Sequence, residues 1–151
     1  MRAWVVPVGS KGVADLQSVD LPHSPPGPGQ VTMRVRATSL NYRDQLVASG
    51  TYFGPPMTRN LVPLSDGAGE VLAVGEGVTR FRVGDRVAAT FFQRMPDGTS
   101  AALGSPLDGM LAECVNLHED GLVAIPHALS YEEAACLPCA GVTAWHALVT
   151  E

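Results

Sequence analysis

The clearest pattern in the chain is a strict alternation of apolar and polar side chains between residues 31 and 38. A period of two places successive side chains on opposite faces of an extended strand, so this segment is predicted to bury one face and expose the other to water. The apolar positions are Val31, Met33, Val35 and Ala37, and the polar positions between them are Thr32, Arg34, Arg36 and Thr38.

Shorter patterns predict further strands, separated by turns that 16 glycines and 12 prolines supply. These strands cover residues 2–8, 16–21, 68–74, 86–92, 110–116 and 122–125. Asn41 and Ser130 stand where helix caps are expected, which predicts one short helix and a second helical stretch that is interrupted at Pro138. The main predicted loops are residues 22–30, 51–63 and 93–108. The chain is therefore predicted to be mostly β, without the alternating strands and helices of a parallel nucleotide-binding sheet.

Composition and charge exclude several classes of function. The 151 residues are 46% hydrophobic and 17% charged, which is a globular composition. A net charge of −5 with a single lysine, Lys11, makes nucleic acids and anionic membranes poor partners. No apolar run approaches the roughly 20 residues that span a bilayer. The three cysteines do not form a secreted disulfide framework, so a cytoplasmic location is expected.

Several short sequence blocks follow one another along almost the whole chain. Each block is weak evidence alone, but their order and spacing together are specific. They are Pro-Gly-Pro-Gly-Gln-Val at 26–31, Leu-Asn-Tyr-Arg-Asp at 40–44, Pro-Leu-Ser-Asp-Gly-Ala-Gly-Glu-Val at 63–71, Val-Gly-Asp-Arg-Val at 83–87, Asp-Gly-Met-Leu-Ala-Glu at 108–113 and Leu-Pro-Cys-Ala-Gly-Val-Thr-Ala-Trp at 137–145. With these blocks the chain resembles the N-terminal, GroES-like catalytic domain of the medium-chain dehydrogenase/reductase superfamily, which includes alcohol dehydrogenase-like and quinone oxidoreductase-like enzymes.

The resemblance implies a fold and a domain organisation. It implies a mostly β (α+β) fold, with a GroES-like barrel and short flanking helices over residues 1–128 and a helical segment at 129–151 that would lead into a nucleotide-binding domain. The chain itself has no Gly-x-Gly-x-x-Gly sequence in the strand–turn–helix context of a Rossmann domain. NAD or NADP, with NADP slightly favoured, would therefore be bound mainly by a domain outside this chain. We expect the isolated chain to be inactive.

The activity implied by the resemblance is hydride transfer between a nicotinamide and a carbonyl, quinone or activated alkene. The expected partners are a small-molecule substrate, a nucleotide-binding domain that docks on this one and, in the complete enzyme, further subunits of an oligomer. Acceptor specificity is expected in the loops at 51–63 and 93–108, and the sequence leaves the acceptor itself open.

The residues at the zinc positions of the superfamily differ from those of the zinc-dependent members. By resemblance, Asn41 replaces a cysteine ligand, Leu64-Ser65-Asp66 replaces a Gly-His-Glu motif that carries a histidine ligand, and Cys139 occupies the position of a third ligand. A catalytic zinc needs about three protein ligands, and only Cys139 remains. Residues 92–108, where related enzymes bind a structural zinc, contain no cysteine. No zinc is therefore expected, and the chain is similar to the zinc-independent, quinone oxidoreductase-like branch.

Candidate catalytic residues lie in and after the Leu-Asn-Tyr-Arg-Asp block. Asn41 and Tyr42 offer an amide and a hydroxyl that can donate hydrogen bonds to a substrate oxygen. Asp44 is expected to orient its neighbours through Arg43 or backbone amides, and Tyr52 is expected to face the cleft. Each also has a structural interpretation: helix capping for Asn41 and Asp44, and packing for the two tyrosines.

Further positions complete the candidate site. Asp66 and Cys139 are assigned to the substrate cleft. Thr143 matches, by resemblance, a residue that contacts the nicotinamide carboxamide, and is assigned to cofactor binding. The structural alternatives are a turn for Asp66 and, for Thr143, a hydrogen bond to its own helix backbone.

Functions of two other classes stay open. A GroES-like barrel can be a non-catalytic binding module. Cys136 and Cys139 form a Cys-x-x-Cys pair, which in a thiol-disulfide protein serves as a redox dithiol. Exposed thiols that interconvert reversibly with a disulfide would favour the second alternative.

Overall fold

Short strands and helices alternate with long turns along the chain. The computed structural model describes residues 1–54, 56–95 and 97–150. Within these ranges the strands are β1 (Arg2–Val5), β2 (Gln17–Asp20), β3 (Gln30–Ser39), β4 (Asp66–Val74), β5 (Arg86–Ala89), β6 (Phe92–Arg94), β7 (Ser100–Ala102), β8 (Cys114–His118) and β9 (Leu122–Ala124). The helices are α1 (Tyr42–Ala48), α2 (Tyr131–Ala135) and α3 (Val142–Val149), with a π-helical turn at Leu137–Gly141. The mostly β fold class is confirmed.

A five-stranded antiparallel sheet forms the centre of the fold, with the strand order β8-β3-β4-β5-β9. β1 pairs with β2, and β6 pairs with β7, in separate two-stranded sheets. The strands of the described residues thus form three sheets rather than one closed barrel, which refines the barrel expected from the resemblance. Isolated bridges from Ala3 to Ala112 and from Val6 to Leu61 connect the β1 region to the rest of the fold.

β3 follows the alternation that predicted it, with one exception. Val31 and Met33 are fully buried, and Arg34 is exposed, as expected. Thr32 is predicted on the solvent face, but it is buried, because it lies opposite Asn116 of β8 and the segment before β3 covers this pair. Asn116 Nδ2 donates to the carbonyl oxygen of Ser24 in that segment at 2.9 Å. The Thr32 hydroxyl donates to Asn116 Oδ1 at 2.7 Å, which satisfies this buried polar group.

Two apolar clusters pack the central sheet against the rest of the chain. The main cluster contains Val31, Met33, Leu64, Val71, Val87, Ala89, Leu103, Met110, Leu117 and Leu122. The second cluster, beneath α2, contains Ala68, Ala88, Ile125, Ala134 and Ala135. Because most members of the second cluster are alanines, α2 can lie close to the sheet, and this brings the following π-helical turn next to the start of β4.

The predicted loop at 93–108 contains most of a hairpin, so the expectation of an irregular stretch is wrong. β6 and β7 pair antiparallel. Gln93 is buried, and its Nε2 donates to the carbonyl oxygens of Thr90 at 2.8 Å and Gly121 at 3.2 Å. Local polarity gives no sign of this long-range contact. Residues 55, 96 and 151, which belong to the predicted loops and the terminal helical segment, lie outside the described residues.

Other strand boundaries differ from the prediction by a few residues. β1 ends at Val5 rather than at residue 8, because Val6 leaves the pairing with β2 and forms a bridge to a different segment. β8 begins at Cys114 rather than at residue 110. Met110 is fully buried in the core, which explains why an apolar residue stands at this position, but it is not part of a strand.

The end of the chain is helical, as predicted. The capping box is present: the Oγ of Ser130 accepts from the N–H of Glu133 at 3.1 Å, and the Oε2 of Glu133 accepts from the N–H of Ser130 at 2.8 Å. The interruption at Pro138 is the π-helical turn, since proline lacks the N–H that a regular helix would use. α3 has no buried residue. Within the described ranges, no helix is both long enough and apolar enough to cross a membrane.

The turn that enters β4 is strained at Leu64, which has a φ angle of 74°. This left-handed region is unfavourable for a residue with a β-carbon. A Cβ at Gly104 would lie 2.8 Å from the carbonyl carbon of Leu64, and one at Gly109 would lie 2.0 Å from its carbonyl oxygen. Burial of the Leu64 side chain offsets the strain, and the turn brings Ser65 and Asp66 to the start of β4.

Leu64→Gly is expected to cost less stability than Leu64→Ala. Both variants lose a buried side chain, which costs about 2–5 kcal/mol, but only glycine also removes the left-handed strain of roughly 1–2 kcal/mol. Leu61 is the matched control, because it is equally buried and has no positive φ, and there the alanine variant should be the more stable one. Urea unfolding of the glycine and alanine variants at both positions measures their order of stability. A Leu64→Gly protein less stable than Leu64→Ala would contradict the strain.

Candidate active site

Asp66 is the centre of a buried hydrogen-bond cluster at the start of β4. The residue is 0% exposed. Its Oδ2 accepts from Asn41 Nδ2 at 3.1 Å, from Ser39 Oγ at 3.3 Å and from the backbone N–H of Cys139 at 3.2 Å. Its Oδ1 accepts from Ser65 Oγ at 3.0 Å. We refer to these five residues as the Asp66 cluster, which joins the end of β3, the start of α1 and the π-helical turn.

Asn41 and Asp44 belong both to a helix cap and to the candidate site. Asn41 precedes α1, and its backbone N–H donates to Asp44 Oδ2 at 2.8 Å, while its side chain is directed to Asp66. Asp44 is buried, and its Oδ1 is the one buried side-chain oxygen or nitrogen of the described residues without a hydrogen-bond partner. Burial raises the pKa of Asp44, against the opposing effects of the Asn41 hydrogen bond and the Arg43 charge. Of the partners expected for Asp44, the structure shows the backbone amide.

The two candidate tyrosines lie in different environments. Tyr42 is the first residue of α1 and is 76% exposed, and it lies outside the Asp66 cluster. Tyr52 is half-buried, and its ring lies 4.2 Å from the ring of Phe53, measured between centroids. Tyr52 lines a cavity of about 300 Å³ with Ser10, Phe53 and Ser105, whereas most of the Tyr42 side chain faces solvent.

Arg43 is a buried cation that the sequence patterns do not single out. It is 8% exposed, and its guanidinium carbon lies 4.9 Å from the centre of the Tyr52 ring and 4.8 Å from the centre of the Phe91 ring. Its nitrogens donate to the carbonyl oxygens of Leu103 at 2.8 Å and Ser105 at 3.1 Å. Aromatic faces stabilise a desolvated cation by about 2 kcal/mol or more. Since these partners come from other segments, no local pattern could have identified Arg43.

The hydroxyl of Tyr52 has a defined hydrogen-bond polarity. Its oxygen accepts from Arg43 Nε at 3.2 Å. A guanidinium can only donate hydrogen bonds, so this contact uses a lone pair of the hydroxyl and leaves the phenolic proton for another acceptor. A donor held in this way is what a developing negative charge on a substrate oxygen requires.

Cys139 and Thr143 connect the Asp66 cluster to α3. Cys139 is half-buried in the π-helical turn, and Thr143, four residues later in α3, is exposed. Burial raises the pKa of the Cys139 thiol, the Asp66 charge adds to the rise, and a hydrogen bond with Thr143 opposes it. Cys136, the other thiol of the Cys-x-x-Cys pair, is exposed. A thiol with a raised pKa is a poor nucleophile, so this geometry does not favour the thiol-disulfide alternative.

The residues at the zinc positions meet in the fold, but their side chains do not fit a metal. Asn41 and Cys139 both contact Asp66, and Ser65 is bonded to it. The groups directed at this carboxylate are N–H and O–H donors, which occupy the lone pairs that a cation would use. The part of the chain that the structure describes has no group of three or more His, Cys, Asp or Glu side chains that could hold a metal. The absence of zinc stays a prediction.

The fold contains an apolar cleft of about 380 Å³, and the described residues that line it include none of the Asp66 cluster. Phe91, whose ring stacks on Arg43, and Pro138, which precedes Cys139, both line it. The lining residues that also reach solvent are Phe92, Val123, Ala124, Pro126, Leu137 and Val142. Small-molecule sites are typically clefts of this kind, mostly apolar and bordered by a few positioned polar groups.

Sequence comparison identifies the family of the chain. The alcohol dehydrogenase GroES-like domain matches residues 27–127. The chain belongs to this family. The match confirms the resemblance inferred from the sequence blocks, and with it a lineage of alcohol dehydrogenase-like and quinone oxidoreductase-like oxidoreductases.

Longer proteins contain a domain similar to this GroES-like chain. It is 44% identical over 127 residues to a zinc-type alcohol dehydrogenase-like protein of Schizosaccharomyces pombe, covering 80% of this chain and 36% of that protein. It is 40% identical over 133 residues to a quinone oxidoreductase of Pseudomonas aeruginosa, covering 88% of this chain and 36% of that protein. The Escherichia coli quinone oxidoreductase solved with NADPH matches with a TM-score of 0.75 at 25% identity, over 99% of this chain and 40% of that one. The chain therefore spans less than half the length of these relatives.

Asp44→Asn is expected to gain stability relative to the unaltered protein as the pH rises from about 4 to 7. The ordinary pKa of this carboxyl is 3.8, and burial raises it in the folded state, so ionisation of Asp44 opposes folding. Below the ordinary pKa, Asp44 is protonated in both states and folding carries no cost of ionisation. This cost appears as the pH rises towards the raised pKa of Asp44 in the folded state. Asparagine keeps an oxygen for the N–H of Asn41 and cannot ionise.

Urea unfolding at both pH values measures this difference. Asp97→Asn is the control of opposite sign, because hydrogen bonds from Thr99 lower the pKa of Asp97. That variant should lose stability relative to the unaltered protein as the pH rises from about 3 to 6. An Asp44→Asn effect that is the same at both pH values would contradict a raised pKa.

Iodoacetamide at about pH 8 is expected to label Cys136 before Cys139, because only the thiolate reacts. Cys136 is exposed, whereas burial and the Asp66 charge disfavour the thiolate of Cys139. Peptide mass mapping of a Cys114→Ser protein measures both rates, and a higher pH should reduce the difference between them. Equal rates at all pH values would show that the Cys139 thiol is not shielded from the reagent and that its pKa is not raised.

Proposed function

We propose that this chain is the substrate-side domain of a zinc-independent, NAD(P)-dependent oxidoreductase, with NADP preferred over NAD. The reaction transfers a hydride between the nicotinamide and a carbonyl, quinone or activated alkene. The observation that carries the proposal is the Asp66 cluster, in which hydrogen-bond donors converge at positions that hold zinc in other members of the superfamily. Such a site must stabilise the substrate oxygen with hydrogen bonds in place of a Lewis acid.

Asn41 and Tyr52 are the proposed donors to the substrate oxygen. A hydride that reaches the carbon of a C=O group leaves negative charge on the oxygen, and positioned donors act where that charge develops. The bond to Asp66 orients the Asn41 amide and uses one of its two N–H groups. The hydrogen bond from Arg43 uses a lone pair of the Tyr52 oxygen, so the O–H group is left free to donate. We assign proton donation to Tyr52.

The remaining site residues are assigned supporting roles. Asp66 orients Asn41 and holds the backbone of Cys139, and Asp44 holds the first turn of α1. Both carboxylates therefore position donors and do not contact the reacting atoms. A catalytic role for Tyr42 stays a prediction, and its exposure to solvent does not support it.

Thr143 is the proposed contact for the nicotinamide carboxamide. It is exposed, and it follows by four residues Cys139, whose backbone N–H donates to Asp66. The bound cofactor would supply or accept the hydride. Thr143 would orient the ring against the cleft, and the apolar lining of the cleft would exclude water from it.

A nucleotide-binding domain is the proposed partner of α3. The helix exposes large apolar side chains, and an exposed apolar patch of this kind marks an interaction surface. These side chains are Val142, Trp145, Leu148 and Val149, with exposed fractions of 60%, 64%, 84% and 56%. We accordingly assign residues 1–128 to the substrate-side domain and 129–151 to the connection. Inactivity of the isolated chain, assembly into an oligomer and a cytoplasmic location stay predictions.

A fusion of residues 1–150 to the part of the Pseudomonas aeruginosa quinone oxidoreductase that follows its matching domain tests this function. Loss of NADPH absorbance with 9,10-phenanthrenequinone as acceptor is the measurement. We expect turnover in the fusion, and Tyr52→Phe should lower kcat by about 100-fold or more, as expected for removal of a positioned proton donor. Asn41→Ala should lower kcat in the same way.

The controls separate the roles of the hydroxyl groups. Tyr131→Phe removes the hydroxyl of a ring that stacks on Arg86 and is not part of the Asp66 cluster, so it should leave kcat unchanged. A fall in kcat in Tyr42→Phe would restore the catalytic role predicted for that residue. A folded fusion that binds NADPH but transfers no hydride to carbonyl, quinone or alkene acceptors would overturn the proposed function.

A further inference from the structure

The guanidinium of Arg43 contacts two separate loops at once. Arg43 belongs to α1, Tyr52 belongs to the segment that follows this helix, and Phe91, Leu103 and Ser105 belong to the segment around the β6–β7 pair. These two segments overlap the loops in which the sequence places acceptor specificity. Arg43 connects the two segments because its guanidinium contacts both the Tyr52 ring and the Phe91 ring.

The contacts of Arg43 are unusual for a buried cation. Within the described residues it forms no ion pair with a carboxylate. Its charge is stabilised by two aromatic faces, a hydroxyl oxygen and two backbone carbonyl oxygens. A planar guanidinium can stack and donate in several directions at the same time, which a lysine ammonium cannot do. The geometry therefore depends on arginine in particular, and not on positive charge alone.

We propose that Arg43 is a positioning residue that couples the two specificity loops and holds the Tyr52 hydroxyl through a hydrogen bond to its oxygen. The proposal rests on the proposed function for its catalytic meaning. Displacement of either ring releases the guanidinium and loosens the loop on the other side. The acceptor that the site takes is thus determined by both loops together. Arg43 adds its contacts to those that already join the loops at Asp108, whose Oδ1 accepts from Arg59 Nη1 at 2.8 Å and from the N–H of Val62 at 2.9 Å.

Amide hydrogen exchange of this chain, followed by NMR, tests the coupling. The reporters are N–H groups that donate to backbone oxygens in each loop: Tyr52 to Leu46 at 3.1 Å and Leu103 to Phe91 at 3.1 Å. In Arg43→Met both should exchange at least about tenfold faster, which corresponds to about 1.4 kcal/mol. The N–H of Val71 in the central sheet, bonded to Asp85 at 2.9 Å, should keep its rate.

The decisive variants change one loop and report on the other. Tyr52→Phe removes a single oxygen and is expected to fold, yet it should speed exchange at Leu103 across the guanidinium. Phe91→Leu should in turn speed exchange at Tyr52. A merely structural role for Arg43 would instead raise exchange in the altered loop alone, or raise it everywhere in proportion to lost stability, Val71 included.

Two arginine variants complete the test. Arg86→Met is the matched control, because Arg86 also stacks on an aromatic ring, Tyr131 at 4.6 Å, and donates to a carbonyl oxygen, that of Leu129 at 2.6 Å. It should leave both reporters unchanged. Arg43→Lys keeps the charge and should fail to restore protection. Restoration by lysine, or a Leu103 rate unchanged in Tyr52→Phe, would overturn the proposal. These measurements use no cofactor or acceptor, so their outcome is independent of whether hydride transfer is found.

Discussion

The arrangement of the site depends on one requirement, the solvation of a fully buried carboxylate. Asp66 forms no ion pair within the described residues, and a buried charge is costly unless it is hydrogen-bonded. Donors from the end of β3, the start of α1 and the π-helical turn provide this solvation. The need to satisfy one charge thus brings together three segments that are far apart in sequence, and the candidate catalytic amide is one of the groups it recruits.

Arg43 meets the same requirement for a charge of opposite sign, but with different chemistry. The guanidinium is stabilised by π faces and oxygen acceptors, whereas the carboxylate is stabilised by N–H and O–H donors. Because the two charges are not paired with each other, each selects its own partners, and each holds a different wall of the site. If Asp66 and Arg43 formed an ion pair with each other, neither charge would need the partners that it now has in other segments of the chain.

The sequence predicted those features whose cause is local. The alternation in β3, the capping box at Ser130 and the interruption at Pro138 each follow from a few adjacent residues, and the sequence blocks placed Asn41, Asp66 and Cys139 at one site. The contacts of Gln93 and Arg43 could not be predicted, because their partners are distant in sequence and their local patterns are those of an ordinary polar strand and helix. The burial of Thr32 likewise depends on Asn116 and on the segment before β3, which the local alternation does not reveal.

The strained turn at Leu64 also restricts how the family can vary. Gly104 and Gly109 approach the backbone of this turn so closely that a side chain at either position would displace it. A substitution at either glycine would therefore shift the turn and, with it, Ser65 and Asp66, so a cap on sequence change at these two distant positions comes from the carboxylate at the start of β4.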